Sequence, residues 1–376
     1  MRVDLVITEL FVGGAEKCLT ELAIGLQRHG DVVRVFSIAS LPVGDQALLV
    51  NRLLEAGIPV ASADADRATD FFRAYRKLKR WFRGDGLSPP EVCQAFLFHA
   101  NVMGTFAARG TKIPVTVGGL RVAEDRPLRC VIEANAVAKM DELICVSEAT
   151  RDFATERLRA RPERTTVIGN SVDVDRFRNT PPMPWSRIGW PDDSVVSLFV
   201  GRFHPQKGID LLQSQIDAIA PPDTDRRLLL VGDGPLRTPL IEWARSIGES
   251  RVRILPWQKD VAPLMRSARL LVLPSRYEGM PNVVLEAMAA ERPVVCSRIE
   301  GSQELFAHRD KEQVFAPEDA SAMSILVRRL QQDEELAVRI GRQNLDHVRS
   351  DFSVDAMVRR YRARYASLRD RTGEIE

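Results

Sequence analysis

The chain has 376 residues, of which 45% are apolar and 28% are charged, and its net charge is +2 at pH 7. This composition is ordinary for a soluble globular protein, and the length predicts about two domains. The small net charge gives no reason to expect nucleic-acid binding. The five cysteines are scattered without a C-x-x-C pair. This spacing argues against a metal site or a disulfide framework and predicts a reducing compartment.

The N-terminal segment, MRVDLVITEL, is interrupted by Asp4 and Glu9, so it does not have the pattern of a secretory signal peptide. No apolar run in the sequence approaches the roughly 20 residues that a membrane-spanning helix needs. The expected location is therefore the cytoplasm.

The first half begins with an apolar run over Val3–Ile7, a loop with Gly13 and Gly14, a helical pattern over Ala15–His29 and a second run over Val32–Ile38. This βαβ pattern predicts a parallel sheet that binds its ligand at the carboxyl ends of the strands. The two glycines would let the backbone approach a ligand closely. A plain strand–helix turn is the alternative interpretation.

A basic segment with interleaved aromatic residues follows between Arg67 and Arg83, where seven residues are basic and one is acidic. Such a helix can lie on an anionic membrane surface. It can also be a crossover helix that packs its aromatic side chains on the sheet. The crossover helix is the favoured interpretation because the sheet requires one here, and a peripheral membrane contact stays open.

His99 follows a further predicted strand, Val92–Phe98, at the edge where parallel sheets present functional residues. A ligand contact and a purely structural role are both compatible with this position. Downstream, the segment between Arg178 and Asp193 contains four prolines and little periodicity, which marks a linker. We expect one domain over residues 1–180 and a second over residues 181–350.

The second half alternates in the same way. A predicted strand over Val195–Val200 runs into GRFHPQKG, in which Arg202 and Lys207 precede a helix over Ile209–Ala220. Two cations beside glycines in a strand–helix loop suit phosphate, although solvated loop charges are the alternative. A later motif, GDGPLR, has Arg237 where the dinucleotide fingerprint needs its last glycine, which weakens a dehydrogenase interpretation.

The predicted strand Leu270–Leu273 leads into SRYEGMPNVVLEAMA, which reads as a loop followed by a helix that begins at Pro281. Free amides at a helix N-terminus suit an anion. Glu278 before the helix and Glu286 inside it are unexpected beside an anion alone. A ligand with both phosphate and hydroxyl groups, such as a nucleotide sugar, would explain them.

The chain resembles the retaining glycosyltransferases of family 4, which have the GT-B architecture. The resemblance covers nearly the whole chain and rests on five motifs in order: GGAE, IGNSVDVDRF, GRFHPQKG, VGDGPLR and EGMPNVVLE. It implies an α/β fold with two doubly wound, Rossmann-like domains facing across a cleft. It also implies that the last helix, within residues 351–376, crosses back to the first domain.

The resemblance further implies roles for individual residues. Glu286 would bind the ribose hydroxyls, Glu278 would lie near the hydroxyls of the donor sugar, and Arg202 and Lys207 would meet the diphosphate. Gly14 would face the diphosphate from the first domain, and His99 would lie near the reacting sugar. The remaining residues expected at the donor are Gly13, Gly279, Met280, Pro281 and Asn282.

The predicted function is retaining transfer of a sugar from a UDP- or GDP-sugar to a hydroxyl of a glycan, lipid-linked or small-molecule acceptor. The candidate catalytic residues are Glu278, His99, Arg202 and Lys207. No metal and no cofactor besides the donor is expected. The alternatives are a nucleotide-sugar epimerase or hydrolase of the same architecture and a non-catalytic, two-lobed sugar-binding protein.

Overall fold

The computed structural model describes residues 1–84, 88–306 and 310–373. The chain divides into two compact units. The first contains Met1–Ser171 together with Val354–Glu376, and the second contains Val172–Ser353. The boundary predicted at residue 180 therefore falls inside the second unit, and the C-terminal segment belongs to the first.

The first unit is built on a parallel sheet, whose seven strands in the described residues have the order β3-β2-β1-β4-β5-β6-β7. The strands are β1 (Arg2–Ile7), β2 (Val32–Ser37), β3 (Val60–Ser62), β4 (Val92–Phe96), β5 (Val115–Leu120), β6 (Glu142–Cys145) and β7 (Thr165–Val167). The helices between them are α1 (Gly14–Arg28), α2 (Leu48–Glu55), α3 (Phe71–Arg83), α4 (Phe98–Arg109), α5 (Pro127–Val137) and α6 (Glu148–Arg157). All five residues of β4 are buried, as expected of a strand covered on both faces.

The strand order reverses between β1 and β4, which are neighbours in this sheet. Doubly wound sheets bind ligands beyond the carboxyl ends of the strands at such a switch point. The loop after β1 carries Gly13, and His99 follows β4 closely. The topology thus brings the two candidate regions of the first unit to one edge of the sheet.

The second unit repeats this plan with six parallel strands among the described residues, in the order β10-β9-β8-β11-β12-β13. The strands are β8 (Val195–Val200), β9 (Arg226–Val231), β10 (Val252–Leu255), β11 (Leu270–Leu273), β12 (Val294–Ser297) and β13 (Val314–Phe315). The helices are α7 (Val174–Asn179), α8 (Ile209–Ser214), α9 (Ile216–Ile219), α10 (Arg237–Ile247), α11 (Ala262–Ser267), α12 (Asn282–Ala289), α13 (Gln303–Phe306), α14 (Ala320–Gln332) and α15 (Glu334–Asp351). Here the order reverses between β8 and β11, and these strands are followed by the motifs GRFHPQKG and EGMPNVVLE.

The last helix, α16 (Val354–Gly373), packs on the first unit. The side chains of Tyr361 and Tyr365 are fully buried, with ring centroids 5.8 Å apart. The Tyr361 hydroxyl accepts a hydrogen bond from Arg121, and the Tyr365 hydroxyl donates one to Gln94 at 3.1 Å. These polar contacts in a buried interface tie the C-terminal helix to the first sheet.

The helix α3 buries Ala74, Leu78 and Phe82 against the first unit, so it packs as a crossover helix between β3 and β4. Its first two residues remain open to solvent, with Phe71 44% and Phe72 76% exposed. No helix in the described residues is long and apolar enough to cross a membrane.

Several predicted element boundaries are wrong, and three of the errors are informative. The strand predicted to end at Phe98 ends at Phe96, because Leu97 has a φ of 72°, outside the extended region. The helix predicted over Ile209–Ala220 is two short helices, since Gln215 leaves helical geometry with φ −116° and ψ 19°. Pro281 is the residue before α12 rather than its first helical residue.

Candidate active site

The centre of the candidate site in the second unit is an ion pair between the Nζ atom of Lys207 and the Oε1 atom of Glu278. The side chains are only 17% and 12% exposed. The same Oε1 atom accepts a hydrogen bond from the Ser275 hydroxyl at 2.8 Å. Two residues that are 71 positions apart in the sequence therefore form one charged centre in which the carboxylate is firmly held.

Two further hydrogen bonds join the same two loops. The Gln206 side-chain amide donates to the carbonyl oxygen of Tyr277 at 2.8 Å, and the Arg276 amide donates to the carbonyl oxygen of Gln206 at 2.7 Å. The loop after β8 and the loop after β11 are thus held together by hydrogen bonds. This arrangement fixes where Lys207 and Glu278 meet.

Arg276 is a residue that the sequence analysis missed. Its guanidinium donates to both carboxylate oxygens of Asp210, at 2.9 and 2.7 Å, and to both of Glu318, at 2.7 and 3.1 Å. Hydrogen bonds to Asp210 and then to Glu318 raise the pKa of Arg276. Arg276 follows Ser275 directly, so this bidentate clamp positions the loop that carries Glu278. In the sequence, the only indication of this role was the position of Arg276 two residues before the EGMPNVVLE motif.

Arg202 lies in the loop between β8 and α8 with an exposed side chain. Within the part of the chain that the structure describes, this side chain makes no ion pair and no hydrogen bond. Lys207, by contrast, is already paired with Glu278. The two cations predicted to meet a diphosphate therefore differ: the Arg202 guanidinium has all its donors available, whereas the Lys207 ammonium uses one of its three on Glu278.

Glu286 lies on α12 and is 8% exposed. The helix is preceded by Pro281, which has no side-chain group to cap the first turn. Met280 is 7% exposed, while Gly279 and Asn282 are partly exposed. The predicted donor-binding stretch, residues 279–282, is thus largely shielded from solvent and leads directly into the buried helix α12.

A second residue missed by the sequence analysis, Gly301, packs against this stretch from the loop after β12. A Cβ atom on Gly301 would lie 2.0 Å from the carbonyl oxygen of Gly279 and 2.7 Å from that of Glu278. Only glycine leaves room for so close an approach of two backbones. The signal in the sequence was a glycine in a loop after a strand, which is too common to single out.

In the first unit, Gly13 precedes α1 and Gly14 is its first residue. A Cβ atom on Gly13 would lie 2.2 Å from the Oε2 atom of Glu16, so the carboxyl group of Glu16 occupies that space. Burial raises the pKa of Glu16 to about 7. A larger residue at Gly13 would therefore require the Glu16 side chain to move, a contact that the sequence analysis did not foresee.

His99 is the second residue of α4 and is exposed. Its ring lies edge-on to that of Phe98, with centroids 5.0 Å apart, and the Arg129 guanidinium lies 4.6 Å from the Phe98 centroid. Partial desolvation and then Arg129 lower the pKa of His99 below its usual value. The imidazole is therefore neutral at physiological pH, so it can donate or accept a hydrogen bond.

Two predictions from the sequence concern the cysteines and the absence of a metal site. All five cysteines are buried and unpaired. Over residues 1–84, 88–306 and 310–373, no group of three or more His, Cys, Asp or Glu residues could hold a metal ion. The expectation of a metal-independent protein stays a prediction.

Comparison with known proteins gives matches to two family models. A "Glycosyl transferase 4-like domain" matches residues 13–171, and "Glycosyl transferases group 1" matches residues 194–333. The chain belongs to the family 4 glycosyltransferases. The family prediction and the predicted class of enzyme, a glycosyltransferase, are thereby confirmed.

Two curated relatives of this glycosyltransferase carry informative names. The lipopolysaccharide core biosynthesis glycosyltransferase LpsE of Rhizobium meliloti is 28% identical over 69% of this chain and 74% of its own length. A UDP-Gal:alpha-D-GlcNAc-diphosphoundecaprenol alpha-1,3-galactosyltransferase of Escherichia coli is 28% identical over 54% of this chain. The chain spans 56% of that relative, and 62% of an uncharacterised glycosyltransferase of Methanocaldococcus jannaschii.

A solved structure extends the likeness to the whole chain. The crystal structure of HepE from Anabaena in complex with UDP-glucose has a TM-score of 0.82 and covers 98% of this chain and 100% of its own. Its sequence identity is 21%, so the likeness concerns the fold. The predicted fold class, two doubly wound Rossmann-like domains of the GT-B type, is confirmed.

Gly208 offers a test of the loop that holds Lys207. It has a φ of 63°, and a Cβ atom there would lie 2.0 Å from the carbonyl oxygen of Pro274. We expect Gly208→Ala to lower the free energy of unfolding by about 3 kcal/mol, because strain and a backbone clash add. Gly189→Ala is the matched control in the same unit, with a similar left-handed conformation (φ 72°, ψ 26°) and only the end of the flexible Arg253 side chain near the new Cβ atom, at 3.1 Å.

Urea denaturation of both variants measures the difference. The control suffers strain alone, so we expect it to lose about 1 kcal/mol. Equal losses in the two variants would show that the close approach at Pro274 does not constrain the loop.

Proposed function

We propose that this glycosyltransferase transfers a sugar from a nucleoside-diphosphate sugar to an acceptor hydroxyl with retention of the anomeric configuration. The observation that carries the proposal is the ion pair between Lys207 and Glu278, at the switch point of the second sheet and just before α12. A cation and a carboxylate side by side suit a ligand that has both phosphate and hydroxyl groups. The names of relatives and neighbours favour a UDP-sugar as the first donor to test, with a GDP-sugar as the alternative.

In this proposal Arg202 and Lys207 bind the diphosphate, and Glu286 accepts hydrogen bonds from the ribose hydroxyls. Negative charge develops on the leaving phosphate as its bond to the anomeric carbon breaks. Fixed cations stabilise that charge, and they act more strongly where water is excluded. Because the chain itself supplies these two positive charges, the proposal needs no metal ion.

Glu278 serves as a hydrogen-bond acceptor for hydroxyls of the donor sugar rather than as a covalent nucleophile. Its Oε1 atom already accepts hydrogen bonds from Lys207 and Ser275, so the lone pairs that a nucleophile would use are engaged. The acceptor oxygen forms its new bond on the face from which the diphosphate departs. Its proton passes to an oxygen of the leaving phosphate, which balances the reaction without a protein base.

The first unit contributes Gly13, Gly14 and His99 to the proposal. Gly14 would bring a backbone amide to the diphosphate, with Gly13 keeping the loop close. The neutral imidazole of His99 would bond a hydroxyl near the reacting carbon. We propose that the first unit acts on the acceptor side and that the second unit holds the donor.

The acceptor is a glycan, a lipid-linked sugar or a small alcohol. LpsE is named for lipopolysaccharide core biosynthesis, the Escherichia coli relative is named for a lipid-linked acceptor, and a third group of relatives is named D-inositol 3-phosphate glycosyltransferase. These names agree on a sugar or polyol hydroxyl. We propose polysaccharide or glycolipid assembly as the process.

Two assays test the proposal. A thermal-shift panel of nucleotide sugars should raise the unfolding midpoint for its donor, because a ligand that binds only the folded state stabilises it. Nucleoside diphosphate should then be released only when an acceptor from the three classes is added. Release without acceptor would favour the hydrolase alternative, a changed donor sugar would favour the epimerase, and donor binding without any reaction would favour a sugar-binding protein.

The cytoplasmic location and the peripheral membrane contact also remain proposals. The exposed start of α3, with Phe71 and Phe72, lies beside a basic helix surface. Part of this charge is neutralised, since Arg73 lies 3.1 Å from Asp70 and Lys77 lies 2.9 Å from Asp64. Sedimentation with vesicles that contain phosphatidylserine tests the contact: Phe72→Asp should reduce the bound fraction. An unchanged bound fraction would show that Phe72 makes no contact with the membrane.

A further inference from the structure

The carboxyl group of Glu16 lies where the first unit is expected to meet the donor. Glu16 is in the first turn of α1, and its Oε2 atom would be 2.2 Å from a Cβ atom on Gly13. The side chain therefore packs against the loop that follows β1, and it is only 7% exposed. This is the loop whose glycines the proposed function places at the diphosphate.

Helix capping does not account for this carboxyl group. A glutamate at the third helical position can cap the first turn, and it does so as an anion, which lowers its pKa. The pKa of Glu16 is instead raised to about 7, mainly by burial; its own backbone amide opposes this shift, and the Glu9 carboxylate adds to it. Among the described residues, no cation forms an ion pair with Glu16. A buried carboxyl group without a counter-ion favours its neutral form.

Glu9 links this group to the edge of the sheet where His99 lies. It is in the loop after β1, and its charge raises the pKa of Glu16. Desolvation and Arg129 lower the pKa of His99, and the same Glu9 charge opposes them. Because such effects fade over about 10 Å in water, Glu9 lies near both groups. Two carboxyl groups are thus close to the edge at which an anionic diphosphate is expected.

The elements that pack against α1 leave Glu9 as the main charge that acts on Glu16. The elements β1, β2 and α16 pack on this helix with apolar and tyrosine side chains. Lys17, the next residue of α1, does not share a helix face with Glu16, since adjacent residues point in different directions. Cations from the other neighbouring elements already have partners: Arg52 of α2 with Glu21, and Arg121 with Asn170 and Tyr361.

We propose that Glu16 binds the donor diphosphate as a neutral acid, so that donor binding takes up a proton from solvent at this residue. The inference rests on the proposed function, in which Gly14 meets the diphosphate. An ionised Glu16 would repel the phosphate oxygens at close range, whereas the protonated carboxyl group can donate a hydrogen bond to one of them. The bound diphosphate therefore favours the protonated form further. Donor affinity should be highest below pH 7 and should fall as the pH rises above it.

Calorimetric titration of the full chain with UDP-glucose, or with the nucleotide sugar that stabilises the protein most, tests this inference. The donor has no terminal phosphate that titrates near pH 6, so it adds no proton step of its own. We expect the parent to bind about fivefold more weakly at pH 8 than at pH 6. The difference in binding heat between Tris and HEPES buffers at pH 8 should show an uptake of about half a proton or more.

Substitutions locate the proton. Glu16→Gln should remove both effects and bind donor at pH 8 at least as tightly as the parent, because the amide keeps a hydrogen-bond donor and carries no charge. His99→Asn removes the other titratable group near the site and should keep the pH dependence. Glu55→Gln, which changes an exposed carboxylate of α2, is the matched control and should also keep it. A purely structural Glu16 would change stability and leave the proton uptake in place.

The inference is overturned if donor binds without proton uptake at pH 8, or if Glu16→Gln keeps the pH dependence of the parent. Either result would leave donor binding itself intact. Failure of every nucleotide sugar to bind at both pH values would instead contradict the proposed function, and the inference with it. Should Glu16→Gln fail to fold, Glu9→Gln decides the question. Loss of that charge lowers the pKa of Glu16, so the affinity should begin to fall at a lower pH, and an unchanged profile would overturn the inference.

Discussion

Replacing both Arg202 and Lys207 with alanine is expected to lower turnover by about a thousandfold or more, because the developing charge on the leaving diphosphate would lose both fixed cations. The two residues should contribute differently. The Arg202 side chain is exposed and makes no ion pair or hydrogen bond in the described structure, so Arg202→Ala should act on turnover alone. Lys207 is paired with Glu278, so its removal also leaves a largely buried carboxylate without its counter-ion.

The single variants separate these effects. Lys207→Ala should lower the free energy of unfolding by about 3 kcal/mol, whereas Arg202→Ala should leave it unchanged. Arg245→Ala, an exposed arginine in the same unit without a described partner, is the matched control for both measurements. Steady-state kinetics with the best donor from the thermal-shift panel gives turnover. Unchanged turnover in the double variant would remove the diphosphate role of both residues.

Replacing Glu286 with glutamine is expected to weaken donor binding by about 10- to 100-fold, because the ribose hydroxyls would lose hydrogen bonds to a charged acceptor. The substitution keeps the shape of a side chain that is 8% exposed on α12, so the helix should remain packed. Calorimetric titration with UDP-glucose, or with whichever donor stabilises the protein, measures the dissociation constant.

Glu242→Gln provides the matched control for this experiment. Glu242 lies on α10 of the same unit, is exposed, and has no partner among the described residues. The control should bind donor like the parent. If Glu286→Gln also binds donor as tightly as the parent, the ribose contact must be assigned to another residue.

The fold followed from local patterns to a large extent. Buried strands in a parallel sheet are continuous apolar runs, so β8 (Val195–Val200) and β11 (Leu270–Leu273) were predicted with the boundaries that the structure has. Errors arose where a single backbone conformation decided the outcome, at Leu97 and Gln215. A hydrophobic pattern reports which segments are buried, but it does not report where one residue leaves regular geometry.

The sequence identified most residues of the candidate site but not the contacts between them. The motifs identified Lys207 and Glu278 but gave them separate tasks, whereas the structure pairs them directly. The clamp from Arg276 to Asp210 and Glu318 joins residues 66 and 42 positions apart. Such contacts depend on how loops from different strands meet at the sheet edge. A single sequence contains no signal for that arrangement.

The most direct test of the central claim, retaining transfer from a nucleoside-diphosphate sugar, is the anomeric configuration of the product. Proton NMR of the product formed from a donor with an α-linked sugar, such as UDP-glucose, gives this configuration. The proposed mechanism predicts an α-linkage in the product, because the acceptor attacks on the face from which the diphosphate leaves. A β-linked product would contradict it.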